Sequence, residues 1–170
     1  MIKKNYRLYL SLGLIVILGF IIYANSLDGE FVWDDNDIVV KNIYIQSFSH
    51  LPKIFTGDMG AGANKRYNFY RPLQVLTHML DYRLWKLNPF GYHLTSIISH
   101  ILATLCLYWF MVLLCRNNFI ALLVSLLFLT HPLQTEAVSY ISGRSDPLAL
   151  LFMMLCLVFY LKNSDSLRQA

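Results

Sequence analysis

Apolar residues are concentrated in four runs along the chain. The runs occupy residues 8–27, 90–115, 119–137 and 147–161. A helix needs ~20 mostly apolar residues to cross a bilayer, and the first two runs meet that requirement. His131 and Pro132 interrupt the third run, and the fourth covers only ~22 Å at ~1.5 Å per residue, so we expect these two to pair across a sunken loop. The pattern predicts an all-α integral membrane protein with about four transmembrane helices.

Composition supports a membrane protein rather than a soluble one. Hydrophobic residues make up 56% of the 170 residues and charged residues 14%, with a mean hydropathy of +0.48. The net charge of +4 does not indicate nucleic acid binding, because the basic residues flank the apolar runs and form no stripe with interleaved aromatic residues. Cys106, Cys115 and Cys156 lie inside apolar runs, so we expect them to be packing residues.

Basic residues near the ends of the runs predict the orientation of the chain. They are Lys3, Lys4, Arg7, Arg116, Lys162 and Arg168. All fall on one side of the membrane, which the positive-inside rule assigns to the cytoplasm. We expect a transmembrane module over residues 1–162 with an uncleaved signal anchor, a cytoplasmic tail over 163–170, and outer loops at 28–89 and 138–146. The protein would reside in the cell or inner membrane, or in the endoplasmic reticulum if it is eukaryotic.

The long outer loop contains a predicted helix. Leucines recur there at helical spacing, at Leu73, Leu76, Leu80, Leu84 and Leu87. Pro72 suits the first turn of a helix, and the pattern predicts an amphipathic helix that lies along the membrane surface. The alternative is a core helix of a small extramembrane lobe.

Three acidic residues follow the first apolar run closely, namely Asp34, Asp35 and Asp37. In a strand Asp35 and Asp37 share a face, and in a helical turn Asp34 and Asp37 do, so two carboxylates converge in either case. Such a pair can bind a divalent cation or supply a general base. The structural alternative is a solvated acidic loop.

A second polar group lies between the third and fourth runs and contains His131, Glu136, Arg144 and Asp146. The planar guanidinium of Arg144 suits a pair of phosphate oxygens. The structural alternative is a helix-capping network with Arg144 reaching the lipid headgroups. Arg71, at the start of the loop helix, could pair with the acidic residues or hold a phosphate.

One face of the second run is polar, with His93, Ser96, His100 and Thr104 at helical spacing. Such side chains commonly join membrane helices through hydrogen bonds, and this interpretation is favoured over a histidine that points into a cavity.

Several short motifs, in this order and topology, resemble the membrane-embedded glycosyltransferases of the GT-C type. The resemblance is closest to the protein O-mannosyltransferase-like N-terminal region of the transmembrane and tetratricopeptide-repeat family. The matching residues are FVWDD at 31–35, YRPL at 70–73, LNPFGYH at 87–93, His100, HP at 131–132, EAV at 136–138 and GRSD at 143–146.

The resemblance implies transfer of a sugar, such as mannose, from a polyprenyl-phosphate carrier to a protein hydroxyl on the extracytoplasmic side. It places the catalytic carboxylate at Asp34 or Asp35 and the donor phosphate at Arg144 and Arg71. Asp37, His131, Glu136 and Asp146 would support the site or a divalent cation, whose presence the resemblance leaves open. Membrane lipid, the lipid-linked sugar and an acceptor protein are the implied partners.

The chain ends soon after the fourth run, whereas members of that family continue with further membrane helices. We therefore expect this chain to be the first part of a larger fold, with a second polypeptide as another way to complete it. The alternative function is a non-catalytic membrane subunit that binds a lipid carrier or a partner protein. A channel or transporter fits less well, because the runs lack the midplane charges of an ion pathway.

Overall fold

A computed structural model describes residues 2–169 and the side chains of residues 6–163. Its α-helices are α1 Ile2–Tyr23, α2 Leu51–Ile54, α3 Pro72–Trp85, α4 Pro89–Cys115, α5 Asn118–Thr130, α6 Gln134–Ser139 and α7 Ser145–Gln169. Shorter helical turns connect them, and this part of the chain contains no strand. The expected orientation relies in part on Lys3, Lys4 and Arg168, whose side chains lie outside the described residues. The same holds for the other side chains of the expected tail from residue 164 onward.

Among the described residues, three helical segments are long and apolar enough to cross a membrane, namely Tyr6–Asp28, Pro89–Cys115 and Ile141–Asn163. A fourth apolar helix, α5, has 13 residues and spans about 20 Å, less than a hydrocarbon core of ~30 Å. The prediction of an all-α membrane protein is confirmed.

The apolar run at 119–137 forms two helices rather than one. His131 leaves the helical conformation with φ −67° and ψ 130°, because the residue before a proline is disfavoured in the α region and Pro132 has no N–H to donate. The chain resumes as α6 at Gln134. The segment expected as an outer loop at 138–146 is largely helical, and the last apolar helix begins at Ser145, before the expected 147.

Helix α4 is the centre of the bundle and packs against α1, α5 and α7. Gly19 allows α1 to approach α4 closely, since a Cβ there would lie 2.6 Å from Ile101 Cγ1. Two apolar clusters fill the bundle, one around Ile15 and Tyr108 and the other around Tyr23 and Ile97.

Residues 31–85 form a lobe at the end of α1. Its buried core consists of Ile38, Val39, Ile45, Ile54, Met59, Val75 and Met79, with Tyr92 and Ile141 from the helices below. Helix α3 buries Val75 and Met79 in this core, while Leu73, Leu80 and Leu84 are exposed. One face of α3 therefore packs into the lobe core, against which Leu76 also packs, and Leu73, Leu80 and Leu84 form an exposed apolar face.

Candidate functional site

A cavity of about 290 Å³ lies between the lobe and the segment that connects α5 to α7. Four of the side chains predicted from the sequence line it, namely Asp34, Arg71, Glu136 and Asp146. These residues come from three separate parts of the chain. The fold thus brings the long loop and the α5–α7 connection together at one end of the bundle.

Asp34 and Asp35, which the sequence could not distinguish, point into different surroundings. Asp34 is exposed and lines the cavity, whereas Asp35 is completely buried. The preceding Trp33 has a left-handed φ of 46°, a conformation that costs a bulky residue about 1–3 kcal/mol. The backbone is therefore strained at the point where it turns to present Asp34.

The carboxylate of Asp35 joins the lobe to the turn before α7. Its Oδ1 accepts hydrogen bonds from the amide and the hydroxyl of Ser142, and its Oδ2 accepts one from the Val32 amide at 3.1 Å. Burial raises the pKa of the Asp35 carboxyl above its usual 3.8, although the bonds from Ser142 and Val32 oppose that shift. Asp35 has the contacts of a structural residue.

Asp37 lies outside the cavity lining and contacts cations on the outer side of the lobe. Its Oδ1 accepts a hydrogen bond from Lys41 at 3.2 Å, and Lys65 lies 3.9 Å from its Oδ2. The hydrogen bond from Lys41 lowers the pKa of Asp37 below its usual value, and the charges of both lysines contribute. Asp34 and Asp37, the pair expected from a helical turn, do converge, since both lie within 3.4 Å of the Tyr67 hydroxyl. Of these two, only Asp34 lines the cavity.

Arg144 is fully buried and binds protein groups through four of its five N–H donors. Nε donates to Ser96 Oγ at 3.1 Å, one terminal nitrogen donates to Thr77 and Asp81, and the other donates to the Tyr92 carbonyl at 2.6 Å. The expectation from the sequence was a guanidinium available to a phosphate. The structure instead places it in a network that ties α3, α4 and α7 together.

Of the two arginines expected at the donor phosphate, Arg71 is the one that lines the cavity, together with Asp34. It precedes the first turn of α3, where backbone N–H groups favour anions. Its guanidinium stacks on the Phe69 ring at 4.7 Å. A second, more apolar groove of about 430 Å³ shares Arg71, Ser145 and Asp146 with the cavity and extends along α7 to Phe152.

The remaining predicted residues divide between the cavity and its surroundings. Glu136 and Asp146 are exposed and line the cavity. His131 does not line it, and its Nδ1 lies 3.3 Å from the Leu133 amide, where it caps the turn after α5. In the part of the chain that the structure describes, no group of three or more His, Cys, Asp or Glu side chains is arranged to hold a metal ion.

The polar face of α4 is buried. Its members are His93, Ser96, His100 and Thr104, and none of them lines the cavity around Asp34. Ser96 accepts the hydrogen bond from Arg144, and His100 Nε2 lies 3.5 Å from the Leu129 carbonyl of α5, in agreement with the interpretation that these side chains join helices. Thr104 donates within α4, to the His100 carbonyl.

Sequence reasoning missed Asp81 and Tyr67. Asp81 is a buried carboxylate that shares one face of α3 with Gln74 and His78, and this polar face opposite the leucines was the available signal. Tyr67 lines the cavity from an irregular segment of the lobe, which has no periodic pattern that could have indicated it.

Three relatives from a comparison with curated proteins resemble most of the chain. Protein O-mannosyl-transferase F38B6.6 of Caenorhabditis elegans is 33% identical over 162 residues, which is 91% of this chain and 23% of that protein. Protein O-mannosyl-transferase TMTC1 of Homo sapiens is 40% identical over 148 residues, 84% of this chain and 17% of that protein. Protein O-mannosyl-transferase TMTC2 of Homo sapiens is 32% identical over 155 residues, 88% of this chain and 18% of that protein.

The chain is a homologue of these O-mannosyl-transferases. It spans about a fifth of the length of these relatives, between 17% and 23%. No protein-family profile matches the chain, and no solved structure matches it. The resemblance to O-mannosyl-transferases inferred from the short motifs is therefore confirmed by overall identity.

Proposed function

We propose that this chain carries the catalytic cavity of a glycosyltransferase that moves a sugar from a polyprenyl-phosphate donor to a protein hydroxyl on the extracytoplasmic side. The observation that carries the proposal is that Asp34 and Arg71 line one cavity. The names of the relatives, protein O-mannosyl-transferases, support mannose as the sugar and a protein as the acceptor.

Asp34 is the proposed base, because it is the exposed carboxylate of the acidic segment and its neighbour Asp35 is enclosed. In the proposed reaction, Asp34 takes the proton of the acceptor hydroxyl as the acceptor oxygen bonds to the anomeric carbon. The bond from that carbon to the phosphate oxygen breaks, and its electron pair leaves with the polyprenyl phosphate. A single displacement of this kind inverts the anomeric configuration.

Arg71 is the proposed contact for the donor phosphate. A guanidinium pairs with two phosphate oxygens at once, and the start of α3 adds backbone N–H groups at the same place. The adjoining groove is lined by Leu73, Leu148, Ala149 and Phe152, which suits a hydrocarbon chain. Arg144 is not part of the proposal, since its guanidinium is buried and occupied.

The proposal is tested with labelled polyprenyl-phosphate mannose and a peptide that contains Ser and Thr, using membranes that contain the native protein. Asp34→Asn is expected to lower transfer by about 10²-fold or more, as loss of a general base does. Asp28→Asn, an exposed acidic residue of the same loop, is the matched control and should retain transfer. Equal activity of both variants and wild type would show the assignment of Asp34 to be wrong.

Phosphate binding is tested separately through affinity. Arg71→Gln should weaken binding of polyprenyl phosphate about 10-fold, on the scale of one hydrogen bond to a charged group. Arg66→Gln, an exposed arginine of the same loop, should bind like wild type. If Arg71→Gln binds as tightly as wild type, Arg71 does not hold the phosphate.

A second function, binding of the lipid carrier without catalysis, is favoured by the apolar groove that adjoins Arg71 and extends along α7 to Phe152. The chain would then bind the lipid carrier, or complete its cavity with a second polypeptide, without catalysing transfer itself. That outcome is recognised when the chain alone binds polyprenyl phosphate with dependence on Arg71 but transfers no sugar.

A further inference from the structure

The hydroxyl of Tyr67 lies between two carboxylates at the edge of the cavity. Its oxygen is 3.4 Å from Asp34 Oδ1 and 3.3 Å from Asp37 Oδ2. A phenol has a single proton to donate, so the two carboxylates compete for it. Burial, followed by the charges of Asp34 and Asp37, raises the pKa of Tyr67 to about 12, which keeps the phenol protonated at neutral pH.

The backbone around Tyr67 is held in place by Asp58. Asp58 Oδ1 accepts hydrogen bonds from the amides of Gly60 at 2.9 Å and Tyr67 at 3.1 Å, and Oδ2 accepts one from Phe69 at 3.1 Å. A Cβ at Gly60 would lie 2.6 Å from the Tyr67 ring, so the ring is also enclosed from that side. The fold therefore fixes the position of the Tyr67 hydroxyl.

The two carboxylates that compete for this hydroxyl differ in their other contacts. Asp37 has Lys41 at 3.2 Å and Lys65 at 3.9 Å, whereas Asp34 faces the cavity. A substrate hydroxyl that binds in the cavity would approach the Asp34 side of the cluster. Asp37, Lys41 and Lys65 are not among the residues that line the cavity.

We propose that Tyr67 is a positioning residue that holds the carboxylate of Asp34 toward the cavity, and that Asp37 sets the strength of this contact by competing for the same proton. The inference rests on the proposed function, in which Asp34 is the base. The hydrogen bond from Tyr67 restricts the Asp34 carboxylate to the orientation that faces the acceptor.

The test is the kinetics of sugar transfer by native protein in membranes, with kcat and KM measured separately. Tyr67→Phe removes the hydrogen bond that orients Asp34, so kcat should fall about 10-fold while the KM for the donor stays near the wild-type value. Asp37→Asn frees the Tyr67 proton for Asp34, so kcat should rise above the wild-type value. Tyr44→Phe, a tyrosine of the same lobe, is the control.

A purely structural role for Tyr67 would not make Tyr67→Phe and Asp37→Asn change kcat in opposite directions. If Asp34→Asn abolishes transfer while Tyr67→Phe keeps the wild-type kcat, the inference is overturned and the proposed function stands. If Asp34→Asn leaves transfer unchanged, the proposed function fails, and the inference fails with it.

A readout without activity tests the geometry alone. The pKa of Tyr67 can be followed by phenolate absorbance, as the difference between wild type and Tyr67→Phe. The double variant Asp34→Asn, Asp37→Asn should lower this pKa from about 12, because both carboxylates contribute to raising it. An unchanged value would show that the three groups are not in contact and would overturn the inference.

Discussion

The guanidinium of Arg144 and the carboxylate of Asp81 lie 2.5 Å apart, and the two side chains are 0% and 4% exposed. Thr95 donates a further hydrogen bond to Asp81 at 2.6 Å, and Thr77 accepts one from Arg144 at 3.0 Å. The pair connects α3 in the lobe to the turn before α7. Because the cavity is enclosed by these same two regions, this ion pair fixes the frame around Asp34 and Arg71.

Removal of one partner of this pair should destabilise the protein strongly. Asp81→Asn leaves the Arg144 charge buried without its counter-charge, which typically costs about 3–5 kcal/mol. The free energy of unfolding in detergent is the measurement. Arg83→Gln, an exposed residue of the same helix, should change it by less than ~0.5 kcal/mol.

A double variant separates the ion pair from general damage to the core. Asp81→Leu combined with Arg144→Met removes both charges and should cost less than Asp81→Asn alone, because no buried charge is left unpaired. If Asp81→Asn is no more destabilising than Arg83→Gln, the pair does not organise the lobe as described.

The environment of Asp35 leads to a second prediction about stability. Asp35→Ala leaves the buried Ser142 amide without its acceptor, at about 1–3 kcal/mol for a buried donor left unpaired. The part-buried Val32 amide also loses its acceptor. Asp34→Ala should change stability by less than ~0.5 kcal/mol, since that side chain is exposed. Thermal unfolding of the two variants checks the contrast, and equal losses would contradict it.

The raised pKa of Asp35 predicts how its contribution varies with pH. The folded pKa lies above the usual 3.8 because of burial, so the fold favours the protonated form. Its contribution to stability is complete below pH 3.8 and is lost as the pH rises through the folded value.

The measurement is the unfolding midpoint of wild type and Asp35→Asn from pH 3.5 upward. The difference in unfolding midpoint between wild type and Asp35→Asn should change as the pH rises above 3.8, because wild type loses stability relative to the variant. Asp34→Asn, a substitution at the exposed neighbouring position, serves as the control. A difference between wild type and Asp35→Asn that stays constant with pH would contradict the shift.

The helices and the meeting of two polar segments could be predicted from the sequence, but the roles of individual residues could not. The length of an apolar run is almost enough to predict a membrane helix. The order of the helices then places Asp34, Arg71, Glu136 and Asp146 at one end of the bundle. The burial of Arg144 depends on Asp81, 63 residues away. No local pattern indicates that contact, so an arginine beside apolar residues suggested a ligand contact.

The distinction between Asp34 and Asp35 escaped prediction for a different reason. Both expected geometries, strand and helix, assumed a regular backbone. The left-handed φ at Trp33 interrupts that regularity immediately before Asp34. A non-glycine residue in this conformation is uncommon, and the tryptophan gave no sign of it in the sequence.

Gly143 forms part of the cavity wall, and its substitution gives a further prediction. A Cβ at this position would lie 2.7 Å from the Glu136 carbonyl and 3.2 Å from Ala137 Cα. Since both neighbours are backbone, Gly143→Ala should cost about 1–3 kcal/mol. Gly13→Ala is the control, because a Cβ there has nothing within 4 Å. The free energies of unfolding of the two variants are compared in detergent. Equal values would contradict close packing at Gly143.

The orientation of the chain is the last prediction, and it determines which side of the membrane the cavity faces. Asn64 lies in the exposed part of the lobe, and Cys115 ends α4. The 27 residues of α4 extend about 40 Å, enough to separate its two ends by a bilayer. With Cys106 and Cys156 replaced by alanine, an impermeant maleimide should label Asn64→Cys from outside intact cells or from the lumen of sealed vesicles. Cys115 should react only from the cytoplasmic side.

If both sites react from the same side, α4 does not cross the membrane. If their sides are exchanged, the cavity faces the cytoplasm, and a donor and an acceptor present there would have to be considered.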